Sequence, residues 1–143
     1  MKLNCKTRVG AICLVVATLV LVGYTQWWIP NRKLIDLEWM TSTPQAEMRR
    51  VCHQVLRIPG GNHHDAFILL ESAGDESSIP LLIWALRWQE DTPSPSQSMI
   101  CTKVHCLEAL QHITGANAGM NYRDWKTWSA GKKNRSDSPR PPA

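Results

Sequence analysis

An all-α fold of short helices, preceded by one apolar span, is what this sequence of 143 residues predicts. Three observations point there. Residues 9–29 carry no charge, the apolar side chains that follow recur at three- and four-residue spacing, and no segment alternates apolar with polar residues for the length of a strand. The pattern divides the chain into a basic N-terminus (1–8), a transmembrane helix (9–29), a juxtamembrane linker (30–43), a helical domain (44–130) and a basic tail (131–143) too polar to bury anything and therefore expected to be disordered.

Val9 to Ile29 reads VGAICLVVATLVLVGYTQWWI. As a helix it rises ~31 Å, about the thickness of a bilayer's hydrocarbon core. Lys2, Lys6 and Arg8 precede it, Tyr24, Trp27 and Trp28 lie at its far end where amphipathic rings favour the headgroup layer, and Arg32 and Lys33 follow. A cleaved signal peptide is the competing reading, because Ala11 to Val22 has the length of a signal-peptide core. Bulky residues at Tyr24, Trp27 and Trp28, in place of small ones at the cut, favour an uncleaved anchor. The slight excess of positive charge before the span predicts an N-terminus inside and a domain outside, periplasmic in a bacterium.

The domain follows as a series of helices. Thr43-Pro44 opens the first, with Thr43 as cap, and Met48, Val51, Cys52, Val55 and Leu56 form one apolar stripe before Pro59-Gly60-Gly61-Asn62 ends it. The second runs from about His64 to Ala73, with Gly74 expected as a left-handed stop. Ser77 or Ser78 is expected to cap the third, whose core Ile79–Leu86 is apolar nearly all round and must be covered on more than one side. After the polar loop 90–97 a fourth runs from about Ser98 to Thr114, with Ile100, Val104, Leu107, Leu110 and Ile113 as its buried stripe and Gly115 as its end. Asn121 caps a final short helix, and Asp124 makes the start resemble a capping box. Short connections between short helices predict antiparallel neighbours.

Two segments carry a resemblance. Ala66 to Leu82 joins an Ala- and Leu-rich helix through Gly74-Asp75 to an apolar-Pro80-x-Leu step, and Cys106 to Gly115 leads into Trp125-x-x-Trp128. Over roughly 63–130 the chain resembles HEAT repeats of the short bacterial type, also called PBS-lyase-type repeats. That resemblance implies a short α-α superhelix of HEAT-like hairpins, closed by an aromatic cap and acting as a protein-binding scaffold. Some such relatives are bilin lyases, but no residue here maps onto that role.

Charge and motifs narrow the function classes. The net charge of +4 belongs to the ends, leaving 9–130 slightly acidic, so no basic face for nucleic acid is expected. No serine sits in a G-x-S-x-G elbow and no glycine-rich phosphate loop occurs, so no catalytic residue and no cofactor are expected, and the chain is read as a non-enzyme. Cys101 with His105 at i, i+4, and separately His63-His64-Asp65, are possible ligand groups; neither supplies the four ligands of a structural zinc site, and no metal is expected. Cys101 and Cys106, five apart on one helix, cannot bridge each other, though Cys52 could pair with Cys101 or Cys106 in an oxidising compartment, or all stay buried thiols. Trp84, Trp88, Trp125 and Trp128 are core fillers or, where partly exposed, anchors for a protein partner. The expected partners are thus a protein of unstated identity and, through 9–29, the lipid bilayer. The other readings are a secreted or periplasmic helical protein with a cleaved N-terminus, or a pigment- or metal-linked enzyme.

Overall fold

The computed structural model describes the backbone of residues 5–90 and 97–136 and the side chains of 10–87 and 100–132. All regular structure among these residues is helical. Helix α1 (Cys5–Gly23) runs through a wider π turn at Tyr24–Trp28 into α2 (Ile29–Lys33). The apolar helix Gly10–Lys33 is long and apolar enough to cross a membrane, and extends past the expected end at Ile29. Its side chains, Leu14 and Val20 among them, are exposed.

The π turn has a local cause. Pro30 has no N–H to give to the Gln26 carbonyl, and its ring crowds that oxygen, so the helix widens. Ile29 donates instead to Tyr24 O. The Gln26 carbonyl accepts from the Gln54 side-chain amide at 3.4 Å, which ties the end of the apolar helix to the domain.

Residues 30–43, read from the sequence as a linker, are mostly helical and belong to the domain. Pro30 is buried, Leu34 is 1% exposed, and α3 (Leu37–Ser42) starts at Asp36, whose carboxylate accepts from Trp39 N–H at 3.1 Å. Apolar residues spaced through this stretch have a core to enter. A polar linker would not.

Helix α4 (Gln45–Leu56) buries Met48, Val51, Cys52, Val55 and Leu56, the stripe that its spacing predicts, although Pro44 rather than Thr43 stands at the cap. Gly60 takes the left-handed φ of 70° in the following turn. Asn62 then caps α5 (His63–Ala73), accepting from Asp65 N–H. The two helices are antiparallel: Arg49, early in α4, donates to the carbonyl of Ala73 at the end of α5.

Gly74 is extended, with φ −71°, not the expected left-handed stop. Its lack of a side chain serves packing instead, because a Cβ there would run into the Leu70 carbonyl and the Ile113 side chain. Asp75, not Ser77 or Ser78, is the next cap: it accepts from Ser77 N–H at 2.9 Å and opens a 3₁₀ turn, Glu76–Ser78, leading into α6 (Ile79–Glu90). Helix α6 packs against α4, α7 and α8, the cover its composition demands.

Helix α7 (Gln97–Thr114) lies parallel to α5: His64 meets Cys101 at one end, and Gly74 meets Ile113 at the other. Leu107 and Leu110 are buried as expected, joined by Cys106 and Ala109, but Ile100 and Val104 are exposed. Both lie on the face of α7 that also carries the exposed Glu108, at four-residue spacing, and that face turns away from the core.

Gly115 closes α7 with a left-handed φ of 64°. Asn121 caps α8 (Tyr122–Ser136), accepting from Asp124 N–H at 3.0 Å. This helix continues into the stretch expected to be a disordered tail, where Lys132 lies over the Trp128 ring and pairs with Glu76 at 2.7 Å; residues 137–143 of that tail, like the polar loop over 91–96, lie outside the described residues. The core centres on Phe67, Leu70, Leu82, Leu86, Leu110 and Trp125, all fully buried.

Leu34→Ala is therefore expected to lower the domain's stability by ~2–5 kcal/mol, the usual cost of a large-to-small change in a core. Leu37→Ala, at a position 71% exposed, should change it by less than ~0.5 kcal/mol. Urea unfolding of the detergent-solubilised chain compares the two.

Candidate functional site

The four tryptophans singled out from the sequence separate. Trp125 is fully buried, donates its indole N–H to the Gly119 carbonyl at 3.0 Å and meets the Trp128 ring edge-on at 5.5 Å. It is a core residue and no anchor for a partner: a ring with no exposed surface has nothing to offer one. Trp128 is partly buried against the same core, and Trp84 is 40% exposed beside Leu56, Pro59 and His63. The side chain of Trp88 lies outside the described residues.

The cysteines separate too. Cys52, Cys101 and Cys106 are free thiols, so neither pairing of Cys52 is formed. Cys52 and Cys106 are buried in apolar surroundings, which disfavour the thiolate; burial pushes the Cys52 thiol up to about 12 and Cys106 higher still. Cys106 donates to the Leu82 carbonyl at 3.4 Å. Cys101, by contrast, is exposed.

Cys101 has company that its own helix only half supplies. Its sulfur lies 3.5 Å from His105 Nε2, one turn on, and 3.5 Å from His64 Nε2 on α5. All three donor atoms lie within 4.8 Å of one another, and the imidazoles meet at 89° with centroids 5.0 Å apart. Each ring is held from behind by a carboxylate. His64 Nδ1 lies 2.9 Å from Asp65 Oδ1, and His105 Nδ1 lies 2.9 Å from Glu108 Oε2. Asp65 is fixed in turn by Asn62, whose side-chain amide donates to Oδ2 at 2.6 Å. The parallel run of α5 and α7 joins the two ligand groups that the sequence shows apart. Of the group His63-His64-Asp65, only His64 turns to the sulfur; His63 Nε2 lies 3.0 Å from the Ile58 carbonyl.

Around this cluster the surface is apolar. Ile68 stands one turn from His64, and Ile100 and Val104 stand beside Cys101 and His105; they are 39%, 53% and 38% exposed. A cleft of about 560 Å³ opens elsewhere, at the end of the span between Trp28, Arg32, Lys33, Asp36 and Glu38. Both signs of charge line it, so it favours neither anion nor cation.

A half-buried histidine and a buried serine escaped the sequence reading as a pair. His53 Nε2 lies 2.8 Å from the hydroxyl of Ser78, which is fully buried, and nothing in the spacing of these residues marks them as neighbours. Loss of solvation pulls the His53 pKa down, helped by Arg57 and Arg49 and opposed by Asp75. The unfolded imidazole takes a proton near pH ~6.5, so below that value the unfolded chain binds more protons than the folded one, and stability falls with acid. Acidifying from about pH 7 to about pH 5 should lower the urea midpoint of the chain, and lower it less in His53→Gln, as melts at the two values would show.

No protein-family model, no curated protein and no solved structure matches the chain.

Proposed function

We propose that this chain is a single-pass membrane protein presenting a HEAT-like helical module that binds another protein and does not itself catalyse a reaction. The observation that carries the proposal is that Ile68, Ile100 and Val104, on two adjacent helices, are all exposed. Exposed apolar clusters of this kind favour contact with a partner. The repeat reading is supported by the antiparallel pairing of α4 with α5, the parallel stacking of α5 on α7, and the terminal helix that brings Trp125 into the core. Helical hairpins stacked in this sense leave a surface across successive units for docking.

Membrane attachment is supported by the Gly10–Lys33 helix, whose apolar side chains as far as Ile29 are exposed all round. Lipid is the solvent that suits them. The basic residues before the span favour an inside N-terminus and an outside domain. The remaining reading, a secreted form with a cleaved N-terminus, is separated by the intact mass of the mature chain, which should include residues 1–29.

Crosslinking in intact membranes tests the docking itself. The wild-type chain should capture a defined protein, and the double variant Ile100→Glu, Val104→Glu should capture it at least about tenfold less, since a charge at the centre of an apolar interface costs a kcal/mol or more and ~1.4 kcal/mol is tenfold. Both positions are exposed, so the urea midpoint should hardly move. Equal capture by the variant would refute the proposed surface.

A further inference from the structure

We infer that His64, Cys101 and His105 form a binding site for a zinc ion, with the fourth coordination position open to solvent. Zinc takes thiolate sulfur at ~2.3 Å and imidazole nitrogen at ~2.0–2.1 Å, and a tetrahedral centre with those bonds places sulfur and nitrogen ~3.6 Å apart. Both sulfur-to-nitrogen separations here are 3.5 Å. Two edges of the donor triangle thus match a single ion, and the third, between the two nitrogens, is no longer than 4.8 Å.

The protonation pattern leads to the same point. A carboxylate only accepts, so the 2.9 Å contacts of Asp65 and Glu108 place a hydrogen on Nδ1 of each ring. In the neutral imidazoles both Nε2 lone pairs then face Cys101. One thiol has one hydrogen and can satisfy one of them, which leaves a lone pair aimed at sulfur with nothing between. A cation bound by the thiolate and both nitrogens satisfies all three, and releases the thiol proton to solvent. Carboxylates that orient ligand imidazoles through Nδ1 are the usual support of zinc-bound histidines, and they raise the basicity of the ligand.

Donor type selects the metal. Thiolate and imidazole suit zinc over the hard cations calcium and magnesium, which prefer oxygen. The other domain thiols do not compete, because Cys52 and Cys106 are enclosed in the core. Access is direct: Cys101 is exposed and both histidines are partly so. The core closes elsewhere, around Phe67, Leu82 and Trp125, so the ion is a ligand of a folded domain and not a condition for folding. The site stands independently of protein docking by the surface beside it.

The test uses the full chain in detergent, reduced and stripped of metal by chelator, with cobalt(II) as a spectroscopic stand-in. One equivalent should produce the intense visible bands of four-coordinate cobalt and a sulfur-to-cobalt charge-transfer band, and one equivalent of zinc should displace it. Cys101→Ser should abolish the charge-transfer band, His64→Gln should weaken zinc binding at least tenfold, and Glu108→Gln should weaken it ~10–100-fold through the lost support of His105. His112→Gln, on the same helix but outside the cluster, should change nothing, and circular dichroism should show every variant folded. Zinc should also protect Cys101 from iodoacetamide. Cobalt that stays six-coordinate, a charge-transfer band that survives Cys101→Ser, zinc affinity unchanged in His64→Gln, or alkylation of Cys101 at the same rate with and without zinc would each overturn the assignment.

Discussion

Helix α5 approaches α7 closely enough that a methyl group at Gly74, just past its end, would collide with Ile113 of α7, and this parallel contact sets the position of most of what lies around it. Phe67 and Leu70 of α5 and Leu110 of α7 are fully buried in the core it helps to form, and each contributes ~1.5–3 kcal/mol through loss of apolar surface. The same alignment brings His64 to Cys101 and His105 at the far end. Those polar side chains do not hold the helices together. They lie at the edge of an assembly that apolar packing has already fixed.

Much of the helical pattern was legible because each helix writes its buried face at its own spacing. Met48, Val51, Cys52, Val55 and Leu56 are a plain case, and Asn121 with Asp124 marks the start of α8 just as clearly. Spacing says which residues share a stripe but not which side of that stripe the neighbouring helices cover. Ile100 and Val104 obey the rule and are exposed all the same. Gly74 illustrates a second limit: a glycine after a helix reads as a left-handed stop, while its need here comes from the Leu70 carbonyl and from a side chain 39 positions on, at Ile113.

The cluster was legible only in halves. Cys101 and His105 share a helix face, but His64 stands 37 residues before Cys101, and only the parallel stacking of next-but-one helices makes them neighbours. Antiparallel neighbours are what short connections suggest, and they bring opposite ends together. The fate of the thiols depends on the same tertiary detail. Cys106 and Cys101, alike in sequence context, end in opposite surroundings because one turns into the core and the other faces outward.

A chain of polar contacts leads from the end of the apolar helix toward this region: Asn31 Oδ1 accepts from the backbone N–H of Asn62 at 2.6 Å, and Asn62 holds Asp65, the residue behind His64. With Leu34 in the core and Gln54 on the Gln26 carbonyl, the helix enters the domain without a flexible joint. Placed in a bilayer, such a molecule has almost no slack. A Gly/Ser tether lets a domain sample a wide volume, but here tilt and azimuth of the spanning helix become tilt and azimuth of the whole head.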